Sequence, residues 1–202
     1  MKECLVIGKT NVGKTLFTLN FADYLGLKSL RMDISFPDGS TAHYHYDLAT
    51  AVAELTDSEP HKTRCLQSIV LQIPAGKGKK RFVLTDTSGL IDHVHGETDV
   101  RKAIAQTLAK VRQADVVLHI VDASAVGKQG AVEALGEIDY QIAQFAQMRK
   151  SYLLLANKMD LPDSREALFR LQGEFPGHRI IPVSALHRKG FREVKQFVTR
   201  NL

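Results

Sequence analysis

Cysteine is scarce in this chain: only Cys4 and Cys65 occur in 202 residues, and neither belongs to a C-x-x-C pair. That scarcity argues against a disulfide framework and against a cysteine-built zinc site. Long apolar runs are missing too, and none approaches the roughly 20 residues that cross a bilayer. The opening MKECLVIG is too short an apolar stretch for a signal peptide. With no internal repeat and no linker, one domain over 1–202 is expected, in a cytoplasmic setting. A strong excess of one charge is also absent. Lys plus Arg number 27 against 22 for Asp plus Glu, and the net +5 suits a phosphate-rich partner without requiring one.

What is present is a regular alternation of apolar strands and amphipathic helices. ECLVI at 3–7 reads as a buried strand ended by Gly8, and 14–25 as a helix with Leu16, Leu19, Phe21 and Leu25 on its apolar face. LQSIVLQI at 66–73 alternates with period two, stops at Pro74, Gly76 and Gly78, and finds a hairpin partner in 81–86. Further helices are expected over 99–112, 131–149, 164–172 and 191–200, and strands over 114–121, 151–157 and 179–184. Such βα spacing specifies an α/β fold: a mostly parallel sheet with helices on both faces and the hairpin supplying one antiparallel edge strand. Ligands of these sheets sit at the carboxyl ends of the strands.

The first of those ends carries Gly8-Lys9-Thr10-Asn11-Val12-Gly13-Lys14-Thr15, which fits G-x-x-x-x-G-K-[ST]. Here the backbone N–H groups can converge on phosphate oxygens, and the next helix adds its N-terminal dipole. Lys14 is placed to reach the β- and γ-phosphates and the Thr15 hydroxyl to ligate Mg²⁺. The stretch assigned to the nucleotide takes in Gly8, Asn11, Val12, Gly13, Lys14, Thr15 and Leu16.

Asn157-Lys158-Met159-Asp160 follows the strand at 151–157. An ionised carboxylate only accepts hydrogen bonds, so Asp160 can take the ring N–H and exocyclic amine of guanine, a donor pair that adenine lacks. The Lys158 stem can lie over the purine face. Ser184-Ala185-Leu186 ends the last strand and offers the Ala185 N–H to the guanine carbonyl. Asp86-Thr87-Ser88-Gly89 ends another strand, with Asp86 placed to bind Mg²⁺ through water and the Gly89 N–H to sense the γ-phosphate.

These motifs together resemble translation-factor-class P-loop GTPases, most of all the Era/TrmE/EngA group with its 50S ribosome-binding type of G domain. The likeness covers 1–25 and 61–202, and ADVVLHIVDAS at 114–124 is characteristic of the group. It implies a P-loop NTPase sheet of six strands, Mg²⁺-dependent GTP and GDP binding, and slow GTP hydrolysis that drives a molecular switch. A role in ribosome- or RNA-linked assembly is expected on the same ground. Lys14, Thr63, Gly89 and Asn11 are the residues expected to act on the reaction.

The chain departs from the pattern in two places. The switch threonine, a further Mg²⁺ ligand, is assigned to Thr63 because Thr63-Arg64 directly precedes a strand; Thr41 is the second choice. Thr63 lies 49 residues after Lys14, and the excess length falls in an inserted element at about 28–60. There SLRMDIS and STAHYHY flank Pro37-Asp38-Gly39 and are expected to pair as a hairpin, followed by a short helix over 47–55 capped by Asp47. The insert reads either as a decoration or as a docking element for a protein effector. Secondly, Leu90 follows Gly89, where some GTPases use Gln to position water. Asn11 matches the asparagine that, in TrmE-like GTPases, helps hold K⁺ beside the phosphates, or it only stabilises the loop. A rival class is a GTP-gated interaction module with negligible hydrolysis.

The remaining polar residues carry weaker signals. His43, His45, His93 and His95 form two H-x-H pairs with no further ligand nearby, and are read as surface or switch-loop residues. His119, inside a strand, is expected to be a satisfied core residue. Lys77, Lys79, Lys80 and Arg81 read as a solvated hairpin tip, and both cysteines as packing residues.

Overall fold

In β1 (Lys2–Ile7) Cys4 and Val6 face one side of the sheet and Leu5 and Ile7 the other, and all four are fully buried. The same division holds in β6 (Val116–Asp122) and β7 (Tyr152–Asn157), where Leu118 and Leu153 join one core and Val117 and Leu154 the second. Strands covered on both faces read as unbroken apolar runs, and that is why these segments lack alternation. The computed structural model describes residues 1–35, 40–55, 66–75, 78–87, 108–147, 149 and 151–202. Burial pushes the Cys4 thiol well up, with the Glu3 charge adding to it, so Cys4 is an inert packing residue; Cys65 lies outside the described residues.

The first core is roofed by α1 (Lys14–Tyr24), α2 (Leu48–Leu55) and α8 (Phe191–Asn201). Phe17, Phe21 and Phe191 form its aromatic centre, with ring centroids 5.2–5.6 Å apart. The second core lies under α3 (108–113), α4 (Ala123–Gln129), α5 (Ala131–Ala134), α6 (Glu137–Ala146) and α7 (Ala167–Glu174). Within it His119 is fully buried, Nδ1 lying 2.7 Å from the Tyr152 hydroxyl and Nε2 2.9 Å from Asp139. It is the satisfied core histidine that was expected. Among the described residues no helix is long and apolar enough to cross a membrane.

The remaining strands are β2 (Ser29–Ser35), β3 (Thr41–Asp47), β4 (Leu66–Ala75), β5 (Gly78–Asp86) and β8 (Ile180–Pro182). Among the described residues the strand order is β3-β2-β4-β5-β1-β6-β7-β8, eight strands where six were expected. From β5 to β8 every pairing is parallel. β4 runs antiparallel to β5 but is not the edge. The 28–60 insert forms the expected hairpin, Asp47 Oδ2 accepts from Ala49 N at 3.2 Å, and β2 then pairs with β4 through Met32↔Ile69 to Ser35↔Leu66. Leu30 and Met32 are thereby buried in the first core, so apolar burial welds the insert to the sheet. The antiparallel part therefore has three strands rather than one.

Two helix assignments also change. The helix expected over 131–149 is broken: Leu135 and Gly136 are extended, and Asp139 accepts the Gly136 N–H at 2.9 Å to start α6 anew. Ahead of it α4 forms unforeseen, ended by Gly130 at φ 98°. Pro162–Ser164 is a 3-10 turn before α7, and β8 is shorter than 179–184. Of the helix expected over 99–112, residues 108–112 are helical and 99–107 lie outside the described residues.

Candidate functional site

The carboxyl ends of β1, β5, β7 and β8 bring the predicted motifs to one edge of the sheet. After β1 the chain turns so tightly that a Cβ on Gly8 would stand 2.1 Å from the Ile120 carbonyl oxygen of β6. Gly13, at φ 95°, precedes α1 and sets the positive end of that helix's dipole beside the loop. Lys14 is buried along the loop, and its ammonium donates to the Lys9 carbonyl at 2.6 Å. Asn11 adopts φ 62° and is exposed at the loop crest. Val12 is buried below it, and Leu16 packs its side chain into the first core.

Thr15 and Asp86, assigned to Mg²⁺ from sequence, meet directly: Thr15 Oγ1 donates to Asp86 Oδ2 at 2.6 Å. A hydroxyl and a carboxylate beside an anion-binding helix start suit Mg²⁺, which keeps several waters and takes its other oxygens from phosphates. Asp86 is fully buried, and burying a polar group without a partner is costly, so the Thr15 hydroxyl contact matters there. Thr87 Oγ1 donates to the Val6 carbonyl at 2.9 Å and pins the chain just past β5. Thr63 and Gly89 lie outside the described residues, as do Leu90, His93 and His95. Thr41 begins β3, the outermost strand, three strand spacings or about 14 Å from β5. The second-choice switch threonine is thus held away from the Thr15–Asp86 pair by the same pairing that added β2 and β3 to the sheet.

At the other side of the site Asp160 Oδ1 accepts from Ser184 Oγ at 2.6 Å, which orients the carboxylate. Lys158 stands at φ 64°, a left-handed conformation uncommon for a side-chain-bearing residue, and its ammonium lies 2.6 Å from Asp122 Oδ2. Burial acts to raise the Asp122 carboxyl, but hydrogen bonds from Lys158, Ser124 and the Ala125 N–H outweigh it and hold the group below its ordinary value.

Asn157, the first residue of the 157–160 motif, has partners on both sides of the site. Its Nδ2 donates to the Val12 carbonyl at 2.8 Å and its Oδ1 accepts from Ala185 N at 2.9 Å, so it ties the phosphate loop to the 184–186 loop. The Ala185 amide, assigned from sequence to the guanine carbonyl, is the group that Asn157 Oδ1 holds. Asn20 of α1 completes the clamp by donating to the Ala185 carbonyl at 2.8 Å. Leu186 stands 59% exposed at the rim. Sequence reasoning missed Asn20, Asp122 and Lys9, whose ammonium donates to the Ala134 carbonyl at 2.9 Å. Asp122 alone had a visible signal, a lone acid closing the apolar run of β6.

Comparison with known proteins follows the same lines. A family model described as 50S ribosome-binding GTPase matches residues 47–158, more than half of the chain. The chain is 31% identical over 137 residues to GTPase Obg of Ruminiclostridium cellulolyticum, covering 66% of this chain and 31% of that protein. It is 36% identical over 118 residues to tRNA modification GTPase MnmE of Chlorobium phaeobacteroides, covering 58% and 23%. It thus spans a third or less of the length of these two relatives. In structure, Era in complex with MgGDPNP and nucleotides 1506–1542 of 16S ribosomal RNA superposes with a TM-score of 0.59 at 20% identity, over 100% of this chain and 56% of Era, which shows a shared fold. With the phosphate and base motifs at one sheet edge and more than half its residues matched, the chain belongs to the 50S ribosome-binding GTPase family.

Proposed function

We propose that the chain binds GTP and GDP and hydrolyses GTP to GDP and phosphate as a Mg²⁺-dependent switch. The observation that carries this reading is Asn157, whose one amide joins the phosphate loop at Val12 to the base loop at Ala185. A triphosphate in the 8–15 cradle would then present its base to Asp160. In that pose the Gly8–Lys14 N–H groups and the Lys14 ammonium bind phosphate oxygens, and Asp160 accepts from the guanine donor edge. Thr15 and Asp86 would hold Mg²⁺, which supplies charge neutralisation on the phosphates. Thr63 and the Gly89 N–H complete the γ-phosphate contacts in this reading. Phosphate release from GTP, measured with and without Mg²⁺, tests it: turnover that needs Mg²⁺ is expected, and none in either condition would leave the rival, a GTP-gated binding module. Leu90, which has no group to orient water, points to slow turnover and not to its absence.

The finer parts of the reading rest on likeness. A potassium ion near Asn11 would supply the charge that an arginine finger supplies elsewhere. Ribosome- or RNA-linked assembly in the cytoplasm is supported by the family description and by the Era complex with 16S ribosomal RNA. The β2–β3 hairpin, exposed at the end of the sheet, is the element proposed to meet a protein effector. Co-sedimentation with ribosomal subunits in GTP and in GDP tests the partner, and equal absence from the pellet in both states would contradict it.

A further inference from the structure

Asp122 divides its two carboxylate oxygens between two tasks. Oδ1 caps α4, accepting from Ser124 Oγ at 2.7 Å and from Ala125 N at 3.1 Å. Oδ2 faces the Lys158 ammonium at 2.6 Å, with the two side chains only 21% and 32% exposed. The capped helix is itself wedged against the chain just past the 157–160 motif. A Cβ on Gly127 would stand 1.5 Å from the Asp163 carbonyl oxygen, so α4 and the turn after Asp160 meet backbone to backbone. Arg170 of α7 donates to the Val126 and Gly127 carbonyls at 3.0 and 2.8 Å and closes the contact from the other side. Asp122 is thus a rigid post, and Lys158 leans on it.

A lysine stem carries four rotatable bonds, so an unheld Lys158 would lose conformational freedom each time it lay against a purine. We propose that Asp122 is a positioning residue for base recognition: its Oδ2 fixes the Lys158 ammonium so that the aliphatic stem is pre-set as a wall for the purine face. This inference rests on the guanine-nucleotide reading above. Pre-setting a contact raises affinity by removing an ordering cost from the binding step. The benefit falls on the base alone, because the phosphates are held by 8–15.

Asp122→Asn separates the two tasks, since asparagine caps a helix as well as aspartate does but presents no carboxylate to Lys158. Asp122→Ser, a second good cap with a shorter reach, guards against an effect peculiar to the amide. Competition binding with GDP, IDP, ADP and inorganic pyrophosphate, in the full chain, reads the result. Both variants are expected to bind GDP and IDP about tenfold more weakly, as for loss of one charge-assisted hydrogen bond. Pyrophosphate affinity and the GDP-to-IDP ratio, which Asp160 sets, should stay as in the wild type. Unchanged GDP affinity would overturn the proposal, and so would an equal loss of pyrophosphate, which marks general damage to the site. A wild-type protein that binds ADP as well as GDP would instead overturn the guanine reading on which it stands.

Discussion

Asn157 reaches from the end of β7 to the Val12 carbonyl at 2.8 Å, joining residues 145 positions apart inside one site. The contact is buried, and its other end holds the Ala185 amide. Asn157→Ala leaves both backbone groups unpaired, each costing about 1–3 kcal/mol. Thermal melts should fall by several degrees and GTP and GDP affinity should drop together. A variant with lowered GTP affinity but wild-type GDP affinity would show that Asn157 acts on the γ-phosphate instead.

Asp160→Asn changes one acceptor oxygen into a donor facing the donor edge of guanine. Lower GTP affinity with relaxed choice against ATP is expected from competition titrations. Ser184→Ala removes only the hydroxyl that orients Asp160 at 2.6 Å, and a several-fold loss is expected with the base preference kept.

Thr15→Ala removes one of two oxygen groups that meet at 2.6 Å. The Mg²⁺ concentration giving half-maximal phosphate release should rise by about tenfold, while GDP binding in EDTA should change little. A shift confined to GDP binding in EDTA would place Thr15 in the phosphate cradle rather than at the metal.

The potassium ion proposed near Asn11 supplies charge that Leu90, an aliphatic residue, does not. Hydrolysis in KCl should exceed hydrolysis in equimolar NaCl, and Asn11→Ala should remove the difference. Equal rates in the two salts for the wild type would exclude the potassium reading.

Acidity should act through Asp122. Its carboxyl is held low in the folded chain, so its contribution to stability is complete above the unfolded value, near pH 4, and is lost as pH falls through the folded value. Urea midpoints at pH 6 and pH 3 should therefore fall less in Asp122→Asn than in the wild type.

Much of the site was legible because its chemistry is written in short contiguous runs. Gly8 to Thr15 and Asn157 to Asp160 each combine a strand end with a turn and a charged side chain, and local chemistry needs no partner to be recognised. The hairpin and its Asp47 cap were legible for the same reason, since Pro37-Asp38-Gly39 separates two β-rich runs. What sequence could not show were the non-local contacts. The β2–β4 pairing joins Met32 to Ile69 across 37 positions, and nothing local to either strand names the other. Asp122 stood in plain view after β6, yet its task is set by Lys158, 36 residues on. The break at Leu135–Gly136 was hidden because one glycine in an apolar, helix-forming stretch is tolerated in many helices, and here the Asp139 contact to the Gly136 N–H starts a new one.

The proposed site reads phosphate and guanine together. Competition of GDP and ADP for the wild-type site in Mg²⁺ tests it most directly. Displacement by GDP at concentrations at least about a hundredfold below those needed for ADP is the predicted result. Equal displacement by the two nucleotides would contradict it.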